Sequence, residues 1–222
     1  MSLLTNKEDN RYINVLSSDG TLRMVVPEGT PGAIRRDYET SDKKTGTKNE
    51  LVFSKIEGLV VNLAIWPGDY GKQLHITIKN GDEQAILSLG TETSFGEDVM
   101  KKLPNLNLDE VVSFEPFSFE NDKGKTIKGI SIKQKGEKIQ NYYWDINAKS
   151  PLHGFPKPKG NTKEYETDDW KIFFLEARKF LVTETETLIA GKFPAKAESE
   201  DAERKAKEDA EDNEINPSEI PF

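Results

Sequence analysis

From Leu51 onward, apolar and polar residues alternate with the period of two expected of half-buried strands, and the alternation lasts to about residue 144. Residues 51–66 form one long run interrupted by Gly58, which predicts a curved strand with a bulge or coil where a side chain would obstruct bending. Leu59, Val61, Leu63 and Ile65 then share one face, leaving Asn62, Ala64 and Trp66 on the other. After the turn Pro67-Gly68-Asp69-Tyr70-Gly71, a second strand turns Leu74, Ile76 and Ile78 inward and Gln73, His75, Thr77 and Lys79 outward. Asn80-Gly81 is a hairpin signal, and residues 85–89 supply a third strand. Residues 97–103 read as a short helix stopped by Pro104. Residues 111–120 and 127–133 form a hairpin, with Pro116 marking a bulge that shifts its register, and residues 138–144 a last strand.

Upstream, Tyr12–Leu16 and Thr21–Val26 predict a hairpin across Ser17-Ser18-Asp19-Gly20. A basic, loop-like stretch comes next, carrying Arg35, Arg36, Lys43, Lys44 and Lys48 with Tyr38 and interrupted by Asp37, Glu39 and Asp42. Downstream, residues 151–161 are proline-rich and read as an extended linker. Trp170, Phe173, Phe174, Ala177, Phe180 and Leu181 then recur at helical spacing, with Thr167 or Asp168 placed to cap the start. This helix either packs on the strands or serves dimerisation or partner docking, and the alternating Thr and Glu of residues 183–187 weaken it toward its end.

The order strand, strand, strand, short helix, strand, strand, with a long bent first strand, predicts a mainly β chain built on an OB-fold. That is a five-stranded, partly open barrel whose face and loops bind oligonucleotides or oligosaccharides. Another antiparallel barrel or a small sandwich fits the same periodicity. The chain divides into an N-terminal extension with hairpin and basic loop (1–50), the OB core (51–150), a linker and C-terminal helix (151–194), and an acidic tail with a partner-binding tip (195–222).

Composition sharpens this division. With 222 residues, one core is the default, and 35% hydrophobic against 32% charged residues leaves room for a solvated segment. Ten acidic and four basic residues from Ala195 on account for six of the eight net negative charges, so the rest of the chain is nearly neutral. Residues 198–214 hold no apolar side chain larger than alanine and cannot repay their ordering entropy, so they are expected to be disordered. The absence of cysteine excludes disulfides and thiol chemistry. Residues 1–10 lack an apolar signal-like core and no window approaches the roughly 18 apolar residues of a spanning helix, which predicts a soluble, cytoplasmic chain without an export signal.

Catalysis finds little support. His75 sits at an outward strand position and His153 in the linker, neither at metal-ligand spacing. No glycine-rich loop precedes a helix, and Asp82-Glu83 and Asp168-Asp169 are turn and helix-start residues. No enzyme, metal or cofactor is expected. Single-stranded nucleic acid, by contrast, is held by exposed aromatics beside a basic track. Trp66 and Tyr70, with Tyr142 and Trp144 on a face shared with Lys138 and Gln140, are the stacking candidates, and His75 joins them on its outward strand face. Lys72, Lys79, Lys125, Lys128, Lys133, Lys135, Arg35 and Arg36 are the phosphate candidates. Phe53, Phe114, Phe117 and Phe119 read as core, with the inward members of the last three left open by Pro116.

The chain closes on Ser218-Glu219-Ile220-Pro221-Phe222, an apolar plug behind an acidic approach. Ile220 and Phe222 suit a partner's apolar pocket whose basic rim would pair the terminal carboxylate. Glu219, Ile220, Pro221 and Phe222 resemble the tail tip of bacterial single-stranded-DNA-binding proteins, and the plan of one OB-type domain plus acidic tail is similar to that of phage-encoded ones. The resemblance implies sequence-tolerant binding of single-stranded DNA in replication, recombination and repair. It also implies recruitment of polymerase, helicase or primase through the tip, and competition between the acidic segment and DNA. Departures are the Glu at 219, the interspersed Lys196, Arg204, Lys205 and Lys207, and a longer body without a Gly- and Gln-rich spacer, so a monomer or homodimer is expected rather than a tetramer. The rival reading is an acidic protein-interaction module, an assembly factor or DNA mimic that does not bind DNA. RNA binding is a third.

Overall fold

The computed structural model describes residues 11–39, 43–68 and 71–193. The N-terminal hairpin forms over the expected residues, β1 (Tyr12–Leu16) pairing antiparallel with β2 (Thr21–Val26). The stretch read as a basic loop is a second hairpin, β3 (Ile34–Glu39) and β4 (Thr45–Phe53). Its strand character was hidden because β3 is an edge strand that carries charge, one of the ways an edge is protected from further pairing. Tyr38 folds over Gly46, where a Cβ would lie 2.6 Å from the phenol oxygen, and Lys48 caps the ring at 4.7 Å.

The long run over 51–66 is two strands. β4 ends at Phe53, and β5 (Ile56–Trp66) begins after Ser54 and Lys55. Gly58 is where β5 changes partners, pairing with β8 (Val112–Glu120) up to this residue and with β6 (Gln73–Asn80) from Leu59. A Cβ here would stand 2.5 Å from the Lys79 carbonyl oxygen, so only glycine permits the crossing. The bulge lies further on, between Val60 and Asn62. It inverts the phase of the strand, so Val60 and Leu63 both enter the core while Leu59 is exposed, a correction to the simple alternation.

β6 and β7 (Glu83–Gly90) come next as expected, with Leu74, Ile76 and Ile78 buried. β8 and β9 (Thr126–Gln134) pair without interruption from Val112 to Glu120. Pro116 therefore shifts no register: β8 pairs with β5 only as far as Phe114, so the proline, which cannot donate, lies on a free edge. Phe114 is buried, Phe117 half-buried and Phe119 exposed. The strand expected over 138–144 is reduced to β10 (Glu137–Lys138). Beyond it, Asn141 accepts from the Tyr143 amide, the Tyr142 amide donates to the Lys101 carbonyl, and Tyr143 is buried against Phe155 and Phe180. A small separate pair, β11 (Trp144–Asp145) and β12 (Ser150–Pro151), lies beyond.

The first ten strands form one sheet in the order β10-β9-β8-β5-β6-β7-β1-β2-β4-β3. β5, β6 and β7 form a meander and β8 returns beside β5, the Greek-key order. The sheet is not closed into a barrel by strand pairing: β1 occupies the free edge of β7, in parallel, with Tyr12 opposite Ile86. It curves nonetheless, because the β1–β2 turn reaches β8, where a Cβ on Gly20 would lie 2.8 Å from the Ser118 nitrogen. The boundary drawn at residue 50 thus falls inside β4, and the N-terminal strands share the sheet of the predicted core.

Helix α1 (Ser94–Met100), three residues earlier than expected, is capped by Thr93 and closes the core with Phe95, Val99 and Met100 over Leu63, Leu74, Ile76, Leu87 and Phe114. Helix α2 (Thr167–Lys192) is capped by Glu166 in a reciprocal pair with Asp169, not by Thr167 or Asp168. It runs through residues 183–187 because Ala177, Leu181, Thr185 and Ile189 recur every four residues and are buried. Arg178 pairs with Glu97 of α1, and Glu186 with Lys72. Among the described residues no helix is long and apolar enough to cross a membrane.

Candidate nucleic-acid interface

The sheet's outer face can be followed strand by strand from the register. Trp66 faces Gln73, Ala64 faces His75 and Leu59 faces Lys79; His75 faces Ser88 and Thr77 faces Ile86; Asn14 faces both Ser88 and Arg23. Asn62, Ala64 and Thr77 form the buried middle of this surface. Around them Trp66 and His75 are half-buried, and Tyr12, Val25 and Lys79 exposed. The Tyr12 ring meets His75 edge-on at 5.6 Å. Burial holds the His75 imidazole below its ordinary pKa, so at neutral pH it is uncharged and presents a π face.

Beside these rings lies a cleft of about 240 Å³, lined on its polar side by Asn14, Ser17, Lys72, Gln73, Ser88 and Thr93. Asn14, Gln73 and Ser88 carry amide and hydroxyl groups able to donate to and accept from base edges. Lys128 reaches across from β9 and donates to the Ser17 carbonyl. The arrangement offers flat rings, hydrogen-bonding side chains and two lysines within one surface.

The structure therefore brings together Trp66, Lys72, His75 and Lys128, with Lys79 farther along the same face. Lys72 enters with its charge already engaged, 2.7 Å from Glu186. Tyr70 lies outside the described residues, as do Glu219, Ile220, Pro221 and Phe222. The other candidates fall elsewhere. Lys133 and Lys135 pair with Glu115 (2.6 Å) and Glu110 (2.7 Å) in a groove that also holds Lys55 and Glu57, so their charges are balanced rather than forming a basic track. Tyr142 is stacked on His153 at 3.8 Å, and Trp144 lies on β11, so neither stands on a strand of the main sheet. Lys125 is exposed at the tip of the β8–β9 hairpin. Arg35 is exposed on the opposite face of β3 from Arg36.

Arg36 is a structural residue. Its guanidinium donates to both oxygens of the buried Glu50, at 2.7 and 2.6 Å, and Arg23 adds a third bond at 3.2 Å. Hydrogen bonding from Arg36 holds the Glu50 carboxyl below its ordinary range, burial opposes this, and Arg23 reinforces it. Burial also works against ionisation of Asp19, but the bonds it accepts from Thr21 and Arg23 prevail and its pKa is lowered. This network joins β2, β3 and β4.

Tyr12, Asn14 and Ser88 are site residues that sequence reasoning did not find. The alternation of Tyr12 and Asn14 with Ile13 and Val15 marked their face, but no local signal announces that β1 pairs in parallel with a strand more than seventy residues away. Compared with protein-family models, curated proteins and solved structures, the chain gives no match.

Proposed function

We propose that this protein binds single-stranded DNA with little sequence preference, protecting it in replication, recombination and repair, and that its acidic C-terminal segment recruits replication proteins through Glu219, Ile220, Pro221 and Phe222. The observation that carries the reading is the convergence of Trp66, His75 and Tyr12 with the Asn14–Gln73–Ser88 cleft and Lys128 on one sheet face. Bases stack on such rings with roughly 1 to 3 kcal/mol each, and every base offers a π face, which accounts for sequence tolerance.

In fold terms we read β5 to β9 as an OB-type barrel. The Greek-key order, the helix between the third and fourth strands and the partner switch of β5 at Gly58 support this. The N-terminal hairpin then forms the seam, with β1 on β7 and the β1–β2 turn against β8 and Lys128.

The test is a titration of fluorescent oligo-dT at two salt concentrations. The expected result is salt-sensitive binding with quenched tryptophan fluorescence, since neutralised phosphates release counterions. Absence of binding at low salt would return the protein to the protein-interaction reading, and preference for RNA in competition would reassign the ligand. Removal of the last nine residues is expected to leave DNA affinity unchanged or raised while abolishing partner recruitment.

A further inference from the structure

Only one side of α2 is used by the rest of the chain. Its buried residues, Ala177, Leu181, Thr185 and Ile189, succeed each other at intervals of four. With 3.6 residues per turn, the opposite side carries Asp168, Ile172, Leu175 and Lys179, flanked by Lys171 and Glu176. Ile172 and Leu175 are 58% and 48% exposed. Their spacing with Asp168 and Lys179, four, three and four residues, is that of a helix-pairing seam.

The charges around this seam are self-complementary. Let a second, antiparallel copy of α2 be related by a two-fold axis at the level of the Phe173–Phe174 step. Ile172 then meets the second copy of Leu175, Asp168 meets Lys179, and Lys171 meets Glu176, so every charged residue of the seam faces its opposite. Parallel pairing in register would set each charge against itself. Glu176 and Lys179 make no ion pair among the described residues, so their charges are available; Lys171 makes a local bridge to Asp168 at 2.8 Å between two exposed side chains. A closed two-fold contact of this kind uses the same patch on both chains.

We infer that α2 is a self-association surface and that its occupant is a second copy of this chain, docked antiparallel through Ile172 and Leu175 with Lys171–Glu176 and Asp168–Lys179 pairs on the flanks. The contact spans about 12 residues, or roughly 18 Å of helix, which places the dissociation constant in the micromolar range. The pairing is independent of the DNA-binding reading, since it leaves the Trp66–His75 face uncovered.

Sedimentation velocity on the full chain, over about 1 to 100 µM, tests this. The expected result is a monomer–dimer equilibrium that Leu175→Asp abolishes. Lys171→Glu weakens it about tenfold or more, because the two-fold axis repeats each like-charge contact. The double variant Lys171→Glu/Glu176→Lys restores it. The three substituted residues are exposed, and circular dichroism checks that helix content is kept. If Leu175→Asp loses helix, the charge pair alone decides. A chain that stays monomeric, a dimer indifferent to these substitutions, or a charge swap that fails to restore association would overturn the inference.

Discussion

Replacing Glu50 by glutamine separates a structural arginine from a phosphate-binding one. The carboxylate is 2% exposed and accepts three bonds from two guanidinium groups, two of them from Arg36 in a bidentate arrangement. The amide keeps one acceptor but turns an NH₂ toward donors. Hydrogen bonds to charged groups are worth about 1.5 to 3 kcal/mol each, and the partly exposed arginines recover some hydration, so the net cost is about 2 to 3 kcal/mol. For a folded body of this size that lowers Tm by about 5 to 10 °C. The pH dependence comes from the depressed carboxyl pKa. The unfolded state binds the proton first as pH falls, so the contribution of Glu50 is fully present above the ordinary carboxylate value and is lost as pH drops through the lower folded one. Calorimetry of both proteins from neutral pH to about pH 3 should show a wide Tm gap that closes in acid. A gap under about 2 °C at neutral pH, or one that persists unchanged into acid, would refute the assignment.

Three further outcomes are expected. Trp66→Ala and His75→Ala should each weaken oligo-dT binding by roughly 5- to 100-fold, whereas Tyr142→Ala, which loses an internal stack on His153, should not; fluorescence anisotropy measures all three. Lys79→Ala should lower the slope of log K against log salt by about 0.7, while Lys133→Ala, whose charge is answered by Glu115, should leave it nearly unchanged. Gly58→Ala should destabilise the fold by at least about 1 kcal/mol in urea titration, because its Cβ would collide with the Lys79 carbonyl where β5 passes from β8 to β6.

Elements whose signal is local were legible in the sequence. The first hairpin, the β6–β7 and β8–β9 hairpins and α2 arise from alternation, turn residues and helical spacing. What failed depended on distant partners. β3 and β4 were hidden because an edge hairpin carries charge in place of core side chains, and the Val61 bulge is set by pairing with β6. Residues 138–144 alternate like a strand, yet Tyr143 is drawn out of the sheet by Phe155 and Phe180. The same limit applies to the site. Trp66, His75 and Lys79 were placed on their outward faces from period-two reasoning alone. The pairing of Lys133 with Glu115 and of Arg36 with Glu50 required knowing which strands lie side by side, and so did the arrival of Tyr12 beside His75.

The most direct test of the proposed interface is mapping of backbone amide shifts while oligo-dT is added to the full chain. Binding at the proposed face predicts perturbations centred on Tyr12, Asn14, Trp66, Gln73, His75 and Ser88, extending to Lys128. Shifts confined to the groove of Lys133 and Lys135, or no shifts at all under low-salt conditions, would contradict it.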